Sequence, residues 1–514
     1  MDMSTQSGHE LGVVDISVES TLHRRGNLLA SPLLRLPTEL ILEIFAYAVE
    51  PDDDDDDRGL LPLVLTAICH QLRETGIASP QLWSTVDLTT PPIAELFLER
   101  CKYDPHTLMR FPSIFEVEPD ENPRRDTLWE KLEGRAFNRL RSIVFEGTRH
   151  EFARRVVGVL QRAPNVSNLN LCSLWSDQQK LPWPVGDTTP NLSTLRLSGF
   201  SIRWTSPLLR NLTQLVLDFL PEPFSKYTSI EVFLTALANC PNLEILDLKN
   251  TGPDLLYGRQ ERCDTVVQLC RLQGLSLEFR DPYRVGYILS HIGYPESVKL
   301  GVCVSLDMAP DLPETLSQFF PHRNAQAIQH FRRSTALTIH LDDDPRFFTD
   351  NFLVHFQEPD TDFGFLSSPQ ISTQFASKIV DIVGGDTIIS LVIKARGNCL
   401  PNGMWEVLLH GLPQLEQIRY HHLSGDGDRP LVDSFVLIFS QLFEGSPVCP
   451  RLQCLELPKG ALAQDASVTA LKCALTERDA CGRRLRWMGL SDVVARAEDR
   501  LALEQFRDLV DEVE

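Results

Sequence analysis

The 514-residue sequence lacks the features that mark several large classes of protein. No apolar run approaches the roughly 18 residues that cross a bilayer, and residues 1–30 lack the basic start and apolar core of a secretory signal. Positive charge is also scarce, because 49 Lys and Arg residues oppose 70 Asp and Glu residues and leave a formal net charge of −21. Nucleic-acid binding draws most of its affinity from Lys and Arg, so this balance argues against it. The acidity either keeps the protein in solution or serves a basic partner.

Common signatures of catalysis are missing as well. The sequence contains no GxxxxGK[ST], HExxH, GxSxG or GxGxxG pattern. Its twelve cysteines stand singly with no CxxC pair, which is typical of buried thiols in a reducing compartment, the cytoplasm or the nucleus. The adjacent His421 and His422 point to opposite faces of a strand, which is a poor geometry for a metal site. We therefore expect no catalytic residue, no metal and no cofactor.

An amphipathic helix is indicated near the start, in RLPTELILEIFAYAV at 35–49. Pro37 suits the first turn of a helix, and Glu39 places a negative charge near the positive end of the helix dipole. Two adjoining apolar rows follow at helical spacing: Leu36, Leu40 and Ile44, and Ile41, Phe45 and Ala48. A stripe this wide on so few turns has to be buried against something.

Two further segments follow this helix: LLPLVLTAICHQLRETG at 60–76 and IASPQLWSTVDL at 77–88. The order resembles the F-box, most closely the F-box-like form of fungal protein families. The resemblance is carried by Leu36, Pro37, Glu39, Leu40, Ile44, Phe45, Ile68, Cys69, Arg73, Ser79, Pro80, Leu82 and Trp83. Leu72 stands where the family usually has Trp, and the acidic run PDDDDDDRG at 51–59 lengthens the link between helices. Since Leu72 keeps its position apolar, we expect weaker packing but a retained domain.

The F-box resemblance implies binding to a Skp-type adaptor and, through it, to a cullin scaffold. The residues that it implies for the adaptor surface, some of which also serve the domain's own core, are Leu36, Pro37, Leu40, Ile41, Ile44, Phe45, Ile68, Leu72, Leu82 and Trp83. The alternative is that this helical part is only a packed N-terminal cap on the repeats of the later chain.

From residue 140 onward a short apolar phrase returns. It reads LRSIVF at 140, VSNLNL at 166, LSTLRL at 192, LTQLVL at 212, LEILDL at 243, LQGLSL at 272, LEQIRY at 415, LQCLEL at 452 and LRWMGL at 485. Weaker copies begin at 295, 336 and 388. Several copies share a Pro-Asn-Leu or Pro-x-Leu lead-in, and helix-like segments precede many of them. The unit is therefore strand, loop, helix, turn and strand.

This unit resembles the irregular leucine-rich repeats found behind F-boxes. The resemblance implies an α/β chain with a small all-helical F-box-like domain followed by a curved solenoid that has a parallel inner sheet. The leucines would form the core, and the alternate residues would face outward to contact a target protein. Those candidate target-binding residues are Asn168, Asn170, Thr194, Arg196, Gln214, Asp247, Ser276, Gln417, Arg419 and Glu456.

The expected organisation has five parts. These are a flexible tail at 1–30, the F-box-like domain at 31–90, a helical linker at 91–135, the solenoid at 136–490 and a C-terminal capping helix at 491–514. Near 342–387 the repeat pattern lapses into an acidic and aromatic insertion. This insertion is either a binding loop or a packed insertion.

The function that this organisation implies is non-catalytic. The protein would be the substrate-recognition subunit of a Skp–cullin–F-box E3 ubiquitin ligase, with no nucleic-acid or membrane partner. The alternative is a repeat scaffold in which a degenerate F-box serves as a cap. A hydrolase in an unfamiliar fold is a third hypothesis, and it requires a close cluster of His, Asp and Ser or Cys.

Overall fold

The structure is a computed structural model with two compact units. The N-terminal unit comprises residues 1–175 and 181–192, and the C-terminal unit comprises 176–180 and 193–514. The structure describes residues 31–49, 60–87, 90–101, 108–111, 140–147, 160–173, 179–180, 191–218, 229–253, 263–279, 282–305, 333–343, 350–356, 361–366, 379–380, 383, 385–396, 402–422, 435, 439, 442–443, 446–458, 462, 465–490 and 503–513. The expected tail at 1–30 lies outside these residues.

The N-terminal unit opens with helices, most of which begin at or next to a proline. They are the 3-10 turn Leu33–Arg35, α1 (Thr38–Val49), α2 (Leu61–Ile68), α3 (His70–Ala78), the 3-10 turn Pro80–Trp83 and α4 (Pro91–Arg100). Pro37 precedes α1, while Pro62 and Pro91 lie in the first turns of α2 and α4. Proline suits these positions because the first N–H groups of a helix have no partner within it.

Four parallel strands pair with one another in the same unit. They are β1 (Thr85–Asp87), β2 (Leu108–Phe111), β3 (Ser142–Gly147) and β4 (Asn168–Ser173), paired in that order. Because β1 and β2 pair with each other, the expected domain boundary at residue 90 falls inside one compact unit. The expected helical linker at 91–135 contains α4 and then the strand β2, so its described part is not wholly helical. Residues 102–107 and 112–135 lie outside the described residues.

Among the described residues, the C-terminal unit contains the remaining strands and the four helices α5 to α8. The strands are β5 (Gln179–Lys180), β6 (Thr194–Ser198), β7 (Phe200–Ser201), β8 (Gln214–Asp218), β9 (Ile245–Lys249), β10 (Val267–Gln268), β11 (Gly274–Phe279), β12 (Ile292–Gly293), β13 (Lys299–Ser305), β14 (Ala336–Asp343), β15 (Asp350–Phe356), β16 (Thr361–Leu366), β17 (Ser390–Arg396), β18 (Gln417–His422), β19 (Leu442–Phe443), β20 (Ser446–Pro447), β21 (Cys454–Leu457), β22 (Leu485–Leu490) and β23 (Val510–Val513). The helices are α5 (Ile230–Ala238), α6 (Pro282–Leu289), α7 (Asn402–Gly411) and α8 (Asp465–Ala480).

The main sheet of this unit runs in the order β6, β8, β9, β11, β13, β16, β15, β14, β17, β18, β21, β22 and β23. Only β15 is antiparallel to its neighbours among these described strands. The short strands form separate pairs, β5 with β7, β10 with β12 and β19 with β20. The expectation of a mixed α/β chain with parallel sheets is therefore confirmed.

Each of the twelve apolar phrases, strong or weak, overlaps a strand of these sheets, as predicted. In the C-terminal unit the strands align so that their leucines stack across the sheet. One row contains Leu195, Leu215, Leu246, Leu275 and Leu300. All five are at most 1% exposed. Burying a leucine side chain contributes about 1.5–3 kcal/mol, so these rows form the core rather than a recognition surface.

The segment at 342–387 is not an external loop where the structure describes it. Strands β15 and β16 lie within the sheet, since β16 pairs with β13 in parallel and β15 joins β16 to β14 in antiparallel fashion. Backbone pairing explains this arrangement, because β13 and β14 would otherwise each have an unpaired edge. Residues 344–349, 357–360 and 367–378 lie outside the described part of the chain.

The expected C-terminal helix at 491–514 is wrong at its end. Residues Val510–Val513 form β23, which pairs in parallel with β22. Phe506, in the turn before this strand, and Val510, its first residue, are both buried. Residues 491–502 lie outside the described part of the chain. The segment still covers the edge of β22, but it does so by adding a strand, which satisfies that edge's backbone groups.

Candidate functional site

Helix α1 divides its apolar residues between an inner and an outer face. Ile41 and Phe45 are at most 1% exposed and pack inside the N-terminal unit. Leu40 and Ile44, one residue before each of them, are 43% and 44% exposed. The core of the unit therefore covers only one of the two apolar rows of α1 and leaves the other exposed.

Beneath α1, a polar framework holds the other helices together. Thr66 on α2 donates a hydrogen bond from Oγ1 to the Pro62 carbonyl at 2.9 Å, and Arg73 Nε donates to the Thr66 carbonyl at 3.0 Å. A Cβ atom at Gly76 would lie 2.6 Å from Cγ2 of Thr66. Glycine at position 76 therefore permits the close approach of α2 and α3.

Trp83 anchors the end of the helical part. It is fully buried, and its Nε1 donates to the Gly76 carbonyl at 2.8 Å. Its ring meets Phe97 of α4 edge to face with centroids 5.0 Å apart, and the Arg100 guanidinium lies 4.2 Å from its ring centroid. Trp83 therefore joins the helical part to α4.

Large apolar side chains on three helices remain exposed. We call them the exposed apolar surface, and they are Leu40, Ile44 and Tyr47 on α1, Val64 and Ile68 on α2 with Leu60 just before it, and Ile77 on α3. Tyr47 is 80% and Ile68 is 63% exposed. Spacings of three and four residues place each group along one side of its helix. Such a concentration of exposed apolar residues is typical of a surface that binds another polypeptide.

The ten residues that the resemblance implied for adaptor binding fall into two groups. Pro37, Leu40, Ile44 and Ile68 are exposed, and Leu36 is half-buried. The buried members are Ile41, Phe45, Leu72, Leu82 and Trp83. In this structure the buried members are core residues and are not available at the surface. Leu72 fills an apolar position as expected, since it is 1% exposed.

Sequence reasoning missed part of this surface. Tyr47, Leu60, Val64 and Ile77 were not among the expected adaptor-binding residues. The spacing of Leu60, Val64 and Ile68, four residues apart, was a usable signal, because it marks one side of a helix. That signal was obscured by the apolar residues between them, which make the whole segment look buried.

In the N-terminal unit, two of the ten candidate target-binding residues lie on β4. Asn168 and Asn170 are half-buried and alternate with the buried Leu169 and Leu171. Asn170 lies opposite Val144 of β3. The predicted alternation is confirmed for this strand.

The other eight candidate target-binding residues lie in the C-terminal unit, on strands where exposed or half-buried residues alternate with buried ones. They are Thr194, Arg196, Gln214, Asp247, Ser276, Gln417, Arg419 and Glu456. Strand pairing joins Arg196, Val216, Asp247 and Ser276 in one row across β6, β8, β9 and β11. A neighbouring row contains Asp218, Lys249 and Glu278, which the expected set did not include.

The carboxylates on these two rows are destabilised by partial burial. Burial raises the pKa of Asp218, Asp247 and Glu278 above their ordinary values, and the positive charge of Lys249 offsets part of the rise in each pKa. Lys249 Nζ lies 3.7 Å from Glu278 Oε2. On the next strand, burial raises the pKa of Cys303 to about 12, so its thiol stays protonated and unreactive at neutral pH.

A group of basic residues lies farther along the same sheet, on β17 and β18. Arg419 and His421 of β18 both lie 3.8 Å from the Glu456 carboxylate of β21. Lys394 of β17 lies in register with His421. The side chain of His422 is outside the described part of the structure. The carboxylates with a raised pKa and these basic residues thus lie on different strands of the sheet.

A buried contact between a serine and a histidine bears on the hydrolase hypothesis. The Ser290 hydroxyl lies 2.9 Å from His291 Nδ1, and His291 Nε2 lies 2.9 Å from the Cys263 carbonyl oxygen. His291 is 4% exposed, and the second ring nitrogen faces a carbonyl rather than a carboxylate. His291 Nδ1 also lies 2.7 Å from the Tyr287 carbonyl oxygen, so backbone carbonyls contact both ring nitrogens. These contacts hold the imidazole between residues 263 and 287.

The described residues contain no group of three or more His, Cys, Asp or Glu side chains that could hold a metal ion. Within the same part of the chain, no helix is both long and apolar enough to cross a membrane. The described cysteines are free thiols. Comparison of the sequence with protein-family models and with curated proteins found no match.

Proposed function

We propose that this protein is the substrate-recognition subunit of a Skp–cullin–F-box E3 ubiquitin ligase. The observation that supports the proposal most strongly is the exposed apolar surface on α1 to α3, including Leu40, Ile44 and Ile68. These are residues that the F-box resemblance assigns to the adaptor. The proposed partner is a Skp-type adaptor, which would cover this surface and connect the chain to a cullin.

The energetics favour a protein partner for this surface. Isolated exposed leucines are ordinary, but seven large exposed apolar side chains on consecutive helices leave a hydrophobic area in contact with water. Each Å² of apolar area removed from water contributes about 25 cal/mol, so covering them together is a substantial source of affinity. A partner that presents its own apolar groove fits this requirement.

For the rest of the chain we propose a leucine-rich-repeat solenoid that binds the target protein. The buried leucine rows support the repeat assignment, and the outward residues, such as Gln417, Arg419 and Glu456, supply a polar surface for recognition. Holding a target beside a ubiquitin-conjugating enzyme raises its local concentration, so the protein needs no catalytic residue or cofactor of its own. The proposed location is the reducing cytoplasm or nucleus.

Co-purification with a Skp-type adaptor tests this function. The wild-type chain, co-expressed with the adaptor, is expected to retain it through affinity and gel-filtration steps. The double variant Leu40→Asp/Ile44→Asp is expected to lose it, because two charges would be buried at the interface. Ala46→Asp is the matched control, since Ala46 is exposed on the same helix but lies off the row of Leu40 and Ile44. Equal retention of adaptor by the double variant and the control would contradict the proposal.

A second candidate function is a repeat scaffold in which the helical part is only a cap. The favouring observation is that β1 is a strand of the parallel sheet and that Trp83 packs against Phe97. Under this hypothesis the wild-type chain does not bind the adaptor. The same co-purification experiment therefore separates the two functions.

A further inference from the structure

Three basic side chains gather on one face of the C-terminal unit's sheet. Arg419 and His421 alternate along β18 with Ile418 and Tyr420, which are buried in the core. Lys394 on the adjacent β17 lies opposite His421, and it also alternates with buried residues. Lys394, Arg419 and His421 therefore share the face opposite the core, and we call them the basic cluster.

The basic cluster shares a single carboxylate among the described residues. Glu456 lies opposite Arg419 in the strand register, and its two oxygens lie 3.8 Å from Arg419 Nε and from His421 Nδ1. These distances exceed those of hydrogen bonds, so the contacts are weak. Arg419 is 52% exposed, whereas Glu456 is 17% exposed. The face therefore offers water more positive than negative charge at this point.

This local charge is opposite to that of the whole chain, which carries a formal net charge of −21. An acidic segment is repelled by most of such a protein and is attracted only where positive charge is concentrated. A basic segment, in contrast, is attracted to many parts of it. The basic cluster is thus a place where the chain can select a partner by charge.

We infer that the basic cluster binds an acidic segment of the target protein. The inference deepens the proposed function, because it rests on this face being the target-binding face. Arg419 and His421 are two residues apart on a strand, so their Cα atoms are separated by about 6.6 Å. Alternate residues of an extended peptide have the same spacing. The segment that fits is therefore extended, with Asp or Glu at every second position: one carboxylate pairs with the charge of Arg419 and the next with the charge of Lys394, which lies opposite His421.

A labelled peptide tests the inference. The probe is a fluorescein-labelled peptide of alternating Ser and Glu, and the measurement is fluorescence anisotropy with the purified full chain at low salt. The wild-type chain is expected to bind this peptide in preference to one of alternating Ser and Lys. Binding is expected to weaken as salt is raised from about 50 to about 300 mM, because added ions screen exposed charges.

Charge reversal at one residue locates the binding site. Arg419→Glu is expected to weaken binding of the acidic peptide by about five- to tenfold, since it replaces attraction by repulsion. Arg451→Glu is the matched control, because Arg451 is exposed in the turn before β21 and its reversal changes the net charge equally. The control is expected to stay within about twofold of the wild type. Circular dichroism checks that both variants are folded.

Two results would overturn the inference: no preference of the wild type for the acidic peptide, or equal weakening by the two reversals. Neither result bears on adaptor binding, which uses the exposed apolar surface of the N-terminal unit. Retention of the adaptor by a chain that does not bind acidic peptide would reject this inference and leave the proposed ligase function intact. Loss of the adaptor with preserved peptide binding would reject the proposed ligase function and leave this inference intact.

Discussion

Leu40 and Ile41 are neighbours on α1, and substituting each of them tests whether the inner face of the helix serves stability and the outer face serves adaptor binding. Leu40 is 43% exposed and Ile41 is fully buried. Replacing Ile41 with Ala is expected to lower the free energy of unfolding by about 2–5 kcal/mol, because it leaves a cavity in the core. Replacing Leu40 with Ala is expected to change it by less than about 0.5 kcal/mol, as for most surface substitutions.

Substitutions of the exposed residues are expected to lower the affinity for the adaptor, although they leave the stability nearly unchanged. Fully burying a Leu or Ile side chain contributes about 1.5–3 kcal/mol, and roughly half of Leu40, Ile44 and Ile68 is still available for a partner to cover. The triple variant Leu40→Ala/Ile44→Ala/Ile68→Ala is therefore expected to lose about 2–4 kcal/mol of binding free energy. That loss corresponds to roughly a 30- to 700-fold increase in Kd.

Urea denaturation followed by circular dichroism measures the first effect, and calorimetric titration with the adaptor measures the second. Ile41→Val, which is expected to cost only about 0.5–1.5 kcal/mol, serves if Ile41→Ala does not fold. A triple surface variant that loses as much stability as Ile41→Ala would contradict this division of α1 into an inner and an outer face. Wild-type affinity of that variant for the adaptor would contradict the role given to the outer face.

Three further predictions concern the folded state. Gly76→Ala is expected to lower the melting temperature of the N-terminal unit by several degrees, because its Cβ would overlap Thr66, whereas Thr66→Ala/Gly76→Ala recovers part of that loss. Arg478→Met is expected to lower the unfolding free energy of the C-terminal unit by about 3 kcal/mol. The buried Arg478 guanidinium donates hydrogen bonds to the carbonyls of Val448, Cys449 and Leu452, and Met cannot replace these donors. Asp247→Asn is expected to stabilise the chain at pH 7. The pKa of Asp247 is raised in the folded state, which means that folding favours the protonated carboxyl. The wild-type carboxyl therefore lowers the stability as the pH rises through its folded pKa. The stabilisation by Asn should disappear in thermal melts below about pH 4, where the wild-type carboxyl is protonated in both states.

The strands were the most predictable part of the fold. Three apolar positions in a fixed frame specify a strand that buries one face, and Leu243, Leu246 and Leu248 are all fully buried as the phrase LEILDL predicts. The two regions without the phrase, 342–387 and 491–514, were predicted less well. Residues 350–366 became strands because the edges of β13 and β14 need backbone partners, and no side-chain pattern announces that need.

The candidate site was only half predictable. Apolar residues at helical spacing show that α1 has a wide apolar stripe, but the spacing does not say which row faces the core. Leu40 and Ile41 differ in exposure because neighbouring helices cover one row and leave the other. The charge pattern across the sheet was hidden for a similar reason, since Lys394 and His421 are far apart in sequence and meet only through the pairing of β17 with β18.

Calorimetric titration of the purified full chain with a purified Skp-type adaptor tests the claim that the exposed apolar surface binds the adaptor. One adaptor is expected to bind each chain, with a negative heat-capacity change because apolar surface is buried, and the Leu40→Asp/Ile44→Asp variant is expected to give no binding heat. Absence of binding by the wild-type chain, or the same affinity for the double variant, would contradict the claim.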